Sequence, residues 1–342
     1  MMNMTTKELL KTDIEKCIAI APLENELAWE VESLLLMIFE YGDYSFRSAL
    51  TGEYSQSLNC VYFLAKHNDN IIGAAGCLYS KINPAIAIIG PVCVLSEYRS
   101  KGIGTELLES IVEHLKEING MAAYLAVNNS NPAVSIYSKI GFMQYQGIVR
   151  RLLLREEKVF DKLYFNNTEN IHVRKAIWGD FPGIQALIAE PGDMYSVLFS
   201  KHIFSSRYVE PVRFLSLFPE MMKENTKYGG LLNVLVAADK ENVVGFANIS
   251  RLPGKAQEHV GVLEFFVHDN FVEHSIELIN TTIQKHKQSS IKKIYCYCIS
   301  CDRIKRNIIE SIGGNLIGTL SENIFIDSSY EDILTYEIRG NK

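Results

Sequence analysis

The chain has 342 residues, more than a single domain usually contains, and this length predicts two domains. Its composition, with 47% hydrophobic and 22% charged residues, is that of a globular protein, and a net charge of −6 argues against a nucleic-acid-binding surface. No apolar run reaches the roughly 18 residues of a membrane-spanning helix, and no apolar signal-peptide core is present, so a cytoplasmic protein without membrane contact is expected.

Hydrophobic periodicity and turn residues divide the first half into strands and helices. The predicted elements are a strand at 17–22, a helix at 25–40, strands at 58–67, 71–80 and 85–95, a helix at 102–118, a strand at 121–127, a helix at 132–140 and a strand at 142–154. This order predicts an α/β (α+β) domain over residues 1–154, with helices packed on a mixed, mostly antiparallel sheet. The charged and Asn-rich stretch 155–170 is predicted to be a linker.

The second half, 171–342, repeats this order. Its predicted elements include a strand and helix from 171 to 188, strands at 234–238, 243–250 and 260–267, a helix at 272–287, a strand at 291–299 and a helix at 301–312. The repetition indicates an internal duplication and therefore two tandem domains of the same fold.

The seven cysteines are an odd number spread through apolar segments, which does not indicate a secreted disulfide framework. The spacing of Cys296, Cys298 and Cys301 suggests zinc, but no second Cys or His pair follows at ligand spacing. We therefore predict no metal.

A short glycine-containing segment, Arg99-Ser-Lys-Gly-Ile-Gly104, connects the strand that ends at Val94 to the helix that follows. A helix start offers free backbone N–H groups and the positive end of the helix dipole, both of which favour a phosphate. The two glycines allow close approach of the backbone, and Arg99 and Lys101 add positive charge. Taken alone, such a segment could also be an ordinary turn.

Two common nucleotide motifs are excluded by the spacing. Leu107 stands where the dinucleotide fingerprint needs its third glycine, and the segment does not end in Gly-Lys-Ser/Thr as a P-loop does. Hydride transfer with a dinucleotide and hydrolysis of nucleoside triphosphates are therefore disfavoured.

The segment resembles the acyl-CoA-binding loop of the GNAT N-acetyltransferases, Arg/Gln-x-x-Gly-x-Gly/Ala after a strand that ends in Val. A second stretch, Ser130 to Phe142, resembles the family's helix that bears a Tyr and ends in Gly-Phe. Two motifs in the right order, separated by one helix and one strand, make the resemblance specific. It implies acetyl-CoA as cosubstrate.

The resemblance implies roles for individual residues. The backbone of the strand end would pair with the pantetheine arm, and the loop would hold the pyrophosphate. The strand-end residues are Val92, Cys93 and Val94, and the loop residues are Arg99, Ser100, Lys101, Gly102, Ile103, Gly104 and Thr105.

Tyr137 matches the tyrosine that in the family often protonates the departing thiolate, although it could instead be a packed core residue. Family members often carry an Asn two turns earlier that contacts pantetheine. Ser130 holds that position here and Asn131 comes one residue later, so either could serve.

The general base is not identified by the resemblance, because the fourth and fifth strands carry no carboxylate. A water chain could deprotonate the amine, or a carboxylate could come from the first helices, where the acceptor site lies in such folds. The candidates there are Glu30, Glu40, Asp43 and Glu53, each of which could equally be a solvated surface residue.

The second copy is predicted to lack this chemistry. After Val267 the chain runs His-Asp-Asn-Phe-Val-Glu273, without a glycine pair and with acidic residues that would repel phosphate. Aligning Gly141 with Gly313 places Ile309 at the position of Tyr137, so the hydroxyl is absent. The C-terminal half resembles a degenerate GNAT domain that supports the fold or shapes the acceptor cleft.

The predicted function is direct transfer of acetyl from acetyl-CoA to a primary amine of a small cationic molecule. Some two-domain relatives acetylate cationic antibiotics as self-resistance, and others acetylate small thiol precursors. A non-catalytic acyl-CoA sensor and an acetyltransferase acting on protein or peptide amines remain alternatives. The sequence does not indicate an oligomeric state.

Overall fold

The computed structural model describes residues 13–39, 46–198, 203–205, 217–228, 231–252, 254–286, 291–326 and 328–338. The chain divides into two compact units, an N-terminal unit up to Phe160 and a C-terminal unit from Asp161. Within the described ranges, no helix has both the length and the apolar character needed to cross a membrane.

The N-terminal unit alternates strands and helices from its first described residues. Its elements are β1 (Ile14–Ile20), α1 (Asn25–Ile38), α2 (Phe46–Leu50), β2 (Leu58–His67), β3 (Asn70–Ser80), β4 (Ile86–Val94), α3 (Ile103–Glu117), β5 (Ala122–Ala126), α4 (Val134–Ile140), β6 (Met143–Gln146) and β7 (Val149–Leu153). Helix α5 (Glu157–Tyr164) follows and spans the boundary between the units.

The C-terminal unit has a longer series of elements. They are β8 (His172–Lys175), α6 (Phe181–Ala189), β9 (Ser196–Leu198), β10 (Ile203–Ser205), α7 (Leu217–Tyr228), β11 (Leu231–Ala237), β12 (Asn242–Arg251), β13 (Val260–Val267), α8 (Ser275–His286), β14 (Lys293–Ile299), α9 (Arg303–Ser311), β15 (Gly314–Ile326) and β16 (Ser329–Ile338).

Each unit is built on a seven-stranded mixed sheet, and the two sheets share one strand order. The N-terminal sheet has the order β1-β2-β3-β4-β5-β7-β6, and the C-terminal sheet has the order β8-β11-β12-β13-β14-β16-β15. In each sheet one central pair is parallel, β4 with β5 and β13 with β14. The predicted fold class, two tandem domains of mixed sheets with flanking helices, is confirmed.

The core of the N-terminal unit lies between one face of its sheet and helices α3 and α4. Ile89 and Leu125 from the sheet pack with Leu107 and Ile111 of α3, and all four are almost fully buried. Leu107 and Ile111 are four residues apart, so their side chains lie on the same face of α3. Burial of this apolar face against the sheet therefore sets the rotation of α3 about its axis and the position of its N-terminus.

Two stretches differ from the sequence prediction. Residues 142–154 were predicted as one strand but form two, β6 and β7, because the chain reverses at Gly147, which has φ 51°. The stretch 155–170, predicted as a linker, contains helix α5, whose side chain of Phe160 is fully buried.

Candidate active site

A gap opens in the middle of the N-terminal sheet where β4 separates from β5. The two strands pair only over Ile86–Ile88, although β4 continues to Val94. The cause is an irregularity between β3 and β4, where a Cβ on Gly76 would lie 2.6 Å from the carbonyl oxygen of Gly90. Such a bulge bends the strand and ends pairing on one side.

Beyond the bulge, the free edge of β4 faces this gap. The N–H of Leu95 points toward β3, where it donates to Ile72 O at 2.9 Å. Peptide groups alternate in direction along a strand, so those of Val92 and Val94 point away from β3 and into the gap. The side chain of Arg99 reaches back to this edge, where its Nε donates to Val94 O at 3.0 Å. An extended polar ligand could pair with the remaining groups as an added strand.

The free edge leads directly into the glycine loop. After the 3₁₀ turn Ser96–Tyr98 the backbone takes positive φ values at Ser100 (60°) and Gly102 (90°), and α3 begins at Ile103. Gly102 is the N-cap residue, and no side chain caps this helix end. The first N–H groups of α3 therefore have no intrahelical acceptor and are available to an anion.

Side chains near the glycine loop, several of them charged, make specific contacts. Tyr98 OH lies 3.0 Å from Nδ1 of His67, and Lys101 Nζ lies 4.8 Å above the centre of the Tyr98 ring. Glu106 in the first turn of α3 would oppose a phosphate, but Lys16 forms an ion pair with it at 3.2 Å. The N-terminus of α3 and the cations Arg99 and Lys101 favour an anionic ligand, and the neighbouring carboxylate of Glu97 offsets part of this positive charge.

Tyr137 on α4 packs into the core beside this gap. Its side chain is 8% exposed, and its ring meets that of Phe142 edge-on at 6.1 Å. Burial, and to a smaller extent the neighbouring Cys93 thiol, raises the pKa of Tyr137 to about 12, so the hydroxyl is protonated at neutral pH. Among the described residues this hydroxyl has no hydrogen-bond partner.

The two candidates for the pantetheine-contacting position lie in the exposed loop between β5 and α4. Ser130 donates from N and from Oγ to Oδ1 of Asn128, at 3.1 and 3.0 Å. Asn131 accepts from Ala133 N at 2.9 Å, which shapes the first turn of α4. Both side chains hold the loop in place, and Asn128, which sequence reasoning missed, is the acceptor that organises it.

Two of the four acidic candidates for the acceptor site lie in the part of the chain that the structure describes, and both are exposed. Glu30 is exposed on α1, and Glu53 is exposed in the turn after α2. Glu40 and Asp43 lie outside the described residues.

A cluster on the opposite face of the sheet was also missed. Ala123 and Leu125 face the core under α3, so Tyr124 between them points to the other face, at the level where β4 and β5 part. Its ring lies 6.3 Å from that of Tyr145, and the Arg151 guanidinium stacks 3.7 Å from the Tyr145 ring centre. Strand alternation in β5 was the signal that could have indicated Tyr124.

Comparison with known proteins assigns the N-terminal unit to a family. Residues 27–142 match the model of the Acetyltransferase (GNAT) family, so the chain contains a domain of this family. The glycine loop and the tyrosine-bearing helix both lie within the matched residues.

Two curated archaeal proteins are similar over a short segment. One is an N-alpha-acetyltransferase of Sulfurisphaera tokodaii, 44% identical over 55 residues, which are 16% of this chain and 33% of the relative. The other is an N-alpha-acetyltransferase of Saccharolobus solfataricus, 45% identical over 53 residues, which are 15% of this chain and 32% of the relative. The match thus spans about a third of the length of these relatives.

Solved structures are similar at low sequence identity. A GNAT-family acetyltransferase from Streptococcus pneumoniae is 13% identical with a TM-score of 0.39, over 49% of this chain and 98% of that one. A ribosomal-protein-alanine N-acetyltransferase from Brucella melitensis is 14% identical with a TM-score of 0.41, over 49% of this chain and 99% of that one.

Proposed function

We propose that the protein is an N-acetyltransferase whose N-terminal unit transfers acetyl from acetyl-CoA to a primary amine. The observation that carries this proposal is the free edge of β4 that leads, through the glycine loop, to the uncapped N-terminus of α3. Acyl-CoA has the matching chemistry, since its amide-bearing arm needs strand-like partners and its pyrophosphate needs N–H donors.

In this proposal the loop residues Arg99 to Thr105 bind the pyrophosphate, and the peptide groups of Val92 and Val94 orient the arm. The acceptor nitrogen attacks the thioester carbon, a C–N bond forms, and the C–S bond breaks. The acceptor ammonium first loses one proton to solvent, so that the attacking nitrogen is neutral. The Tyr137 hydroxyl gives its proton to the departing thiolate, and the proton that the acetylated nitrogen then releases restores the Tyr137 hydroxyl. Because Tyr137 stays protonated at neutral pH, it is ready to donate in each cycle.

The acceptor class has two candidates. The net charge of −6 favours a small cationic amine, of which a cationic antibiotic is one example. The local identity to N-alpha-acetyltransferases favours the α-amine of a peptide instead. A sensor that binds acyl-CoA without turnover is the alternative outside enzymes, because none of the described acidic candidates is placed as a base.

A thiol-release assay separates these functions. The purified chain is incubated with acetyl-CoA and, in parallel, polyamines, aminoglycosides, amino acids and short peptides with free N-termini, while free CoA thiol is followed. We expect thiol release with one acceptor class, and mass spectrometry of that acceptor should show one added acetyl group. Acetyl-CoA binding by calorimetry without release in any arm would indicate the sensor, and absence of binding would overturn the acyl-CoA site itself.

A further inference from the structure

The C-terminal sheet contains a gap of the same construction. Strands β13 and β14 pair only over Val260–Leu263, and β13 then continues alone to Val267. His268 N donates to Val244 O at 2.9 Å, just as Leu95 N does to Ile72 O in the first unit. Phe265 therefore corresponds to Val92, and its carbonyl points into the gap.

A piece of the same unit, Gly192–Leu198, lies at this gap, and we call it the inserted segment. Its N–H at Asp193 donates to both carboxylate oxygens of Asp269, at 3.1 and 3.0 Å, and its N–H at Tyr195 donates to Asp302 Oδ2 at 2.8 Å. Its last three residues form β9, which contacts both β13 and β14. Asp269 begins the 3₁₀ turn after β13 and corresponds to Ser96, which begins the 3₁₀ turn before the glycine loop of the other unit.

Lys305 joins the inserted segment to the free edge of β13. Its side chain is fully buried, and its Nζ donates to Phe265 O at 3.1 Å and to Tyr195 O at 3.4 Å. Asp302, also buried, accepts from Lys305 N at 2.8 Å through Oδ1 while Oδ2 holds Tyr195. A buried ammonium is tolerated only when its hydrogen bonds are made, and here two backbone carbonyls make them.

We propose that the C-terminal unit has converted the cofactor cleft of this fold into a site for an extended polypeptide main chain, which its own segment Gly192–Leu198 fills. Asp269 and Asp302 bind the backbone N–H groups of that segment, and Lys305 binds a carbonyl. The segment lies against β13 and β14 at the gap where the arm of acyl-CoA would pair, and the turn after β13 has no glycine pair, so acyl-CoA does not enter this unit and each chain binds one acyl-CoA.

The first test measures whether the inserted segment closes the cleft. With the two exposed cysteines replaced (Cys17→Ser and Cys301→Ser), the remaining five are buried. Cys298 is fully buried on β14, one of the two strands that the β9 part of the segment contacts. In this background, Lys305→Met keeps an apolar side chain of similar length but removes the Nζ hydrogen-bond donor. We expect a neutral thiol reagent to label Cys298 at least about tenfold faster in this variant, because the segment opens.

The matched control is Lys292→Ala, which removes an exposed lysine before β14 and should leave labelling unchanged. If Lys305→Met and Lys292→Ala label equally slowly while both remain folded by circular dichroism, Lys305 does not hold the segment. Should Lys305→Met fail to fold, hydrogen exchange on the unsubstituted chain decides: slow exchange of the Asp193 and Tyr195 amides supports the proposal, and exchange at solvent rates overturns it.

The second test uses acetyl-CoA. Calorimetry should give one acetyl-CoA per chain, and saturation should slow exchange at amides 100–105 without changing it at 193–195. Two equivalents per chain, or faster exchange at 193–195 on binding, would mean that acetyl-CoA displaces the segment. No binding at all would overturn the proposed function and leave the labelling and exchange results on the segment standing.

Discussion

The two units have the same strand order and the same gap between two central strands. They differ in the segment that connects the strand at the gap to the helix that follows. In the N-terminal unit, positive φ values at Ser100 and Gly102 separate the 3₁₀ turn from α3, and the helix begins uncapped. In the C-terminal unit, the 3₁₀ turn Asp269–His274 runs directly into α8, and Ser275 N already donates to Val272 O. The fold supplies a gap in both units, but only the first supplies free donors beside it.

The comparison also shows what happens to a free strand edge without a cofactor. Peptide groups that face a gap need partners, and a buried edge without them costs free energy. In the N-terminal unit Arg99 Nε donates to Val94 O on this edge, whereas in the C-terminal unit Lys305 Nζ donates to Phe265 O and the inserted segment contacts the strand. The two units thus differ in what lies at the strand edge and not in the sheet itself, and this difference is what the proposed function depends on.

The largest expected effect comes from a charge placed at the N-cap of α3. Gly102→Glu puts a carboxylate where the proposed pyrophosphate binds and forces a side chain onto φ 90°. Repulsion between like charges costs several kcal/mol of binding free energy, whereas the backbone strain of roughly 1–2 kcal/mol lowers the stability of the folded protein. We expect the affinity for acetyl-CoA, measured by calorimetry, to fall at least about 100-fold.

Its matched control lies in the other unit. Gly313 has φ 86°, and a Cβ at this position would meet nothing within 4 Å, so Gly313→Glu carries similar backbone strain without touching the loop. Acetyl-CoA affinity should be unchanged in this variant. An equal loss in both variants would mean that strain, and not charge at the helix start, governs binding.

The next effect separates catalysis from binding. Tyr137→Phe removes the proposed proton donor, and we expect kcat to fall about 100-fold with the Kd for acetyl-CoA unchanged. Tyr79→Phe is the control, because its hydroxyl bonds His114 Nε2 at 3.0 Å elsewhere in the same core. A fall in kcat of the same size in both variants would assign Tyr137 to packing.

The pH dependence follows from the same residue. Burial raises the pKa of Tyr137 from its ordinary value near 10 to about 12, so the hydroxyl remains a donor throughout pH 7–10. Activity should therefore not decline over this range through loss of the Tyr137 proton. A decline near pH 8 that disappears in Tyr137→Phe would contradict the raised pKa.

Much of the fold could be predicted from local sequence pattern. Helix α3 and strands β2 to β5 lie within one or two residues of their predicted bounds, because apolar period and turn residues set them. The sequence prediction gave one strand at 142–154 and missed the hairpin of β6 and β7, because Gly147 is a single glycine within a stretch that otherwise has strand-like composition. The register shift at Gly76 was only weakly indicated by the sequence, through a glycine inside a predicted strand.

The inserted segment could not be predicted, because its partners are far away in the chain. Tyr195 meets Asp302 and Lys305 across more than a hundred residues, and no periodicity connects them. A lysine in a helix is ordinarily expected in solvent, yet Lys305 is fully buried. The glycine loop before α3, in contrast, could be predicted as a structural element, because Gly102 and its helix are adjacent in sequence.

The smallest expected effect tests the charges of the loop one at a time. Arg99→Ala removes both a cation and the contact from Nε to Val94 O, whereas Lys101→Ala removes a cation that rests on Tyr98. Both side chains are at least partly solvated, so each loss should weaken acetyl-CoA binding only about three- to tenfold. Arg99→Ala should be the more severe, because it also frees a carbonyl at the strand edge.

Salt distinguishes these charges from the N–H donors of α3. Raising ionic strength screens Arg99 and Lys101 but not the backbone dipoles close to the ligand, so the salt dependence of Kd should become shallower in either variant. Lys116→Ala, near the C-terminal end of α3, is the control and should keep the unsubstituted slope. If all three variants share one slope, the cations of the loop contribute nothing specific, and the helix start alone distinguishes the N-terminal gap from its filled counterpart.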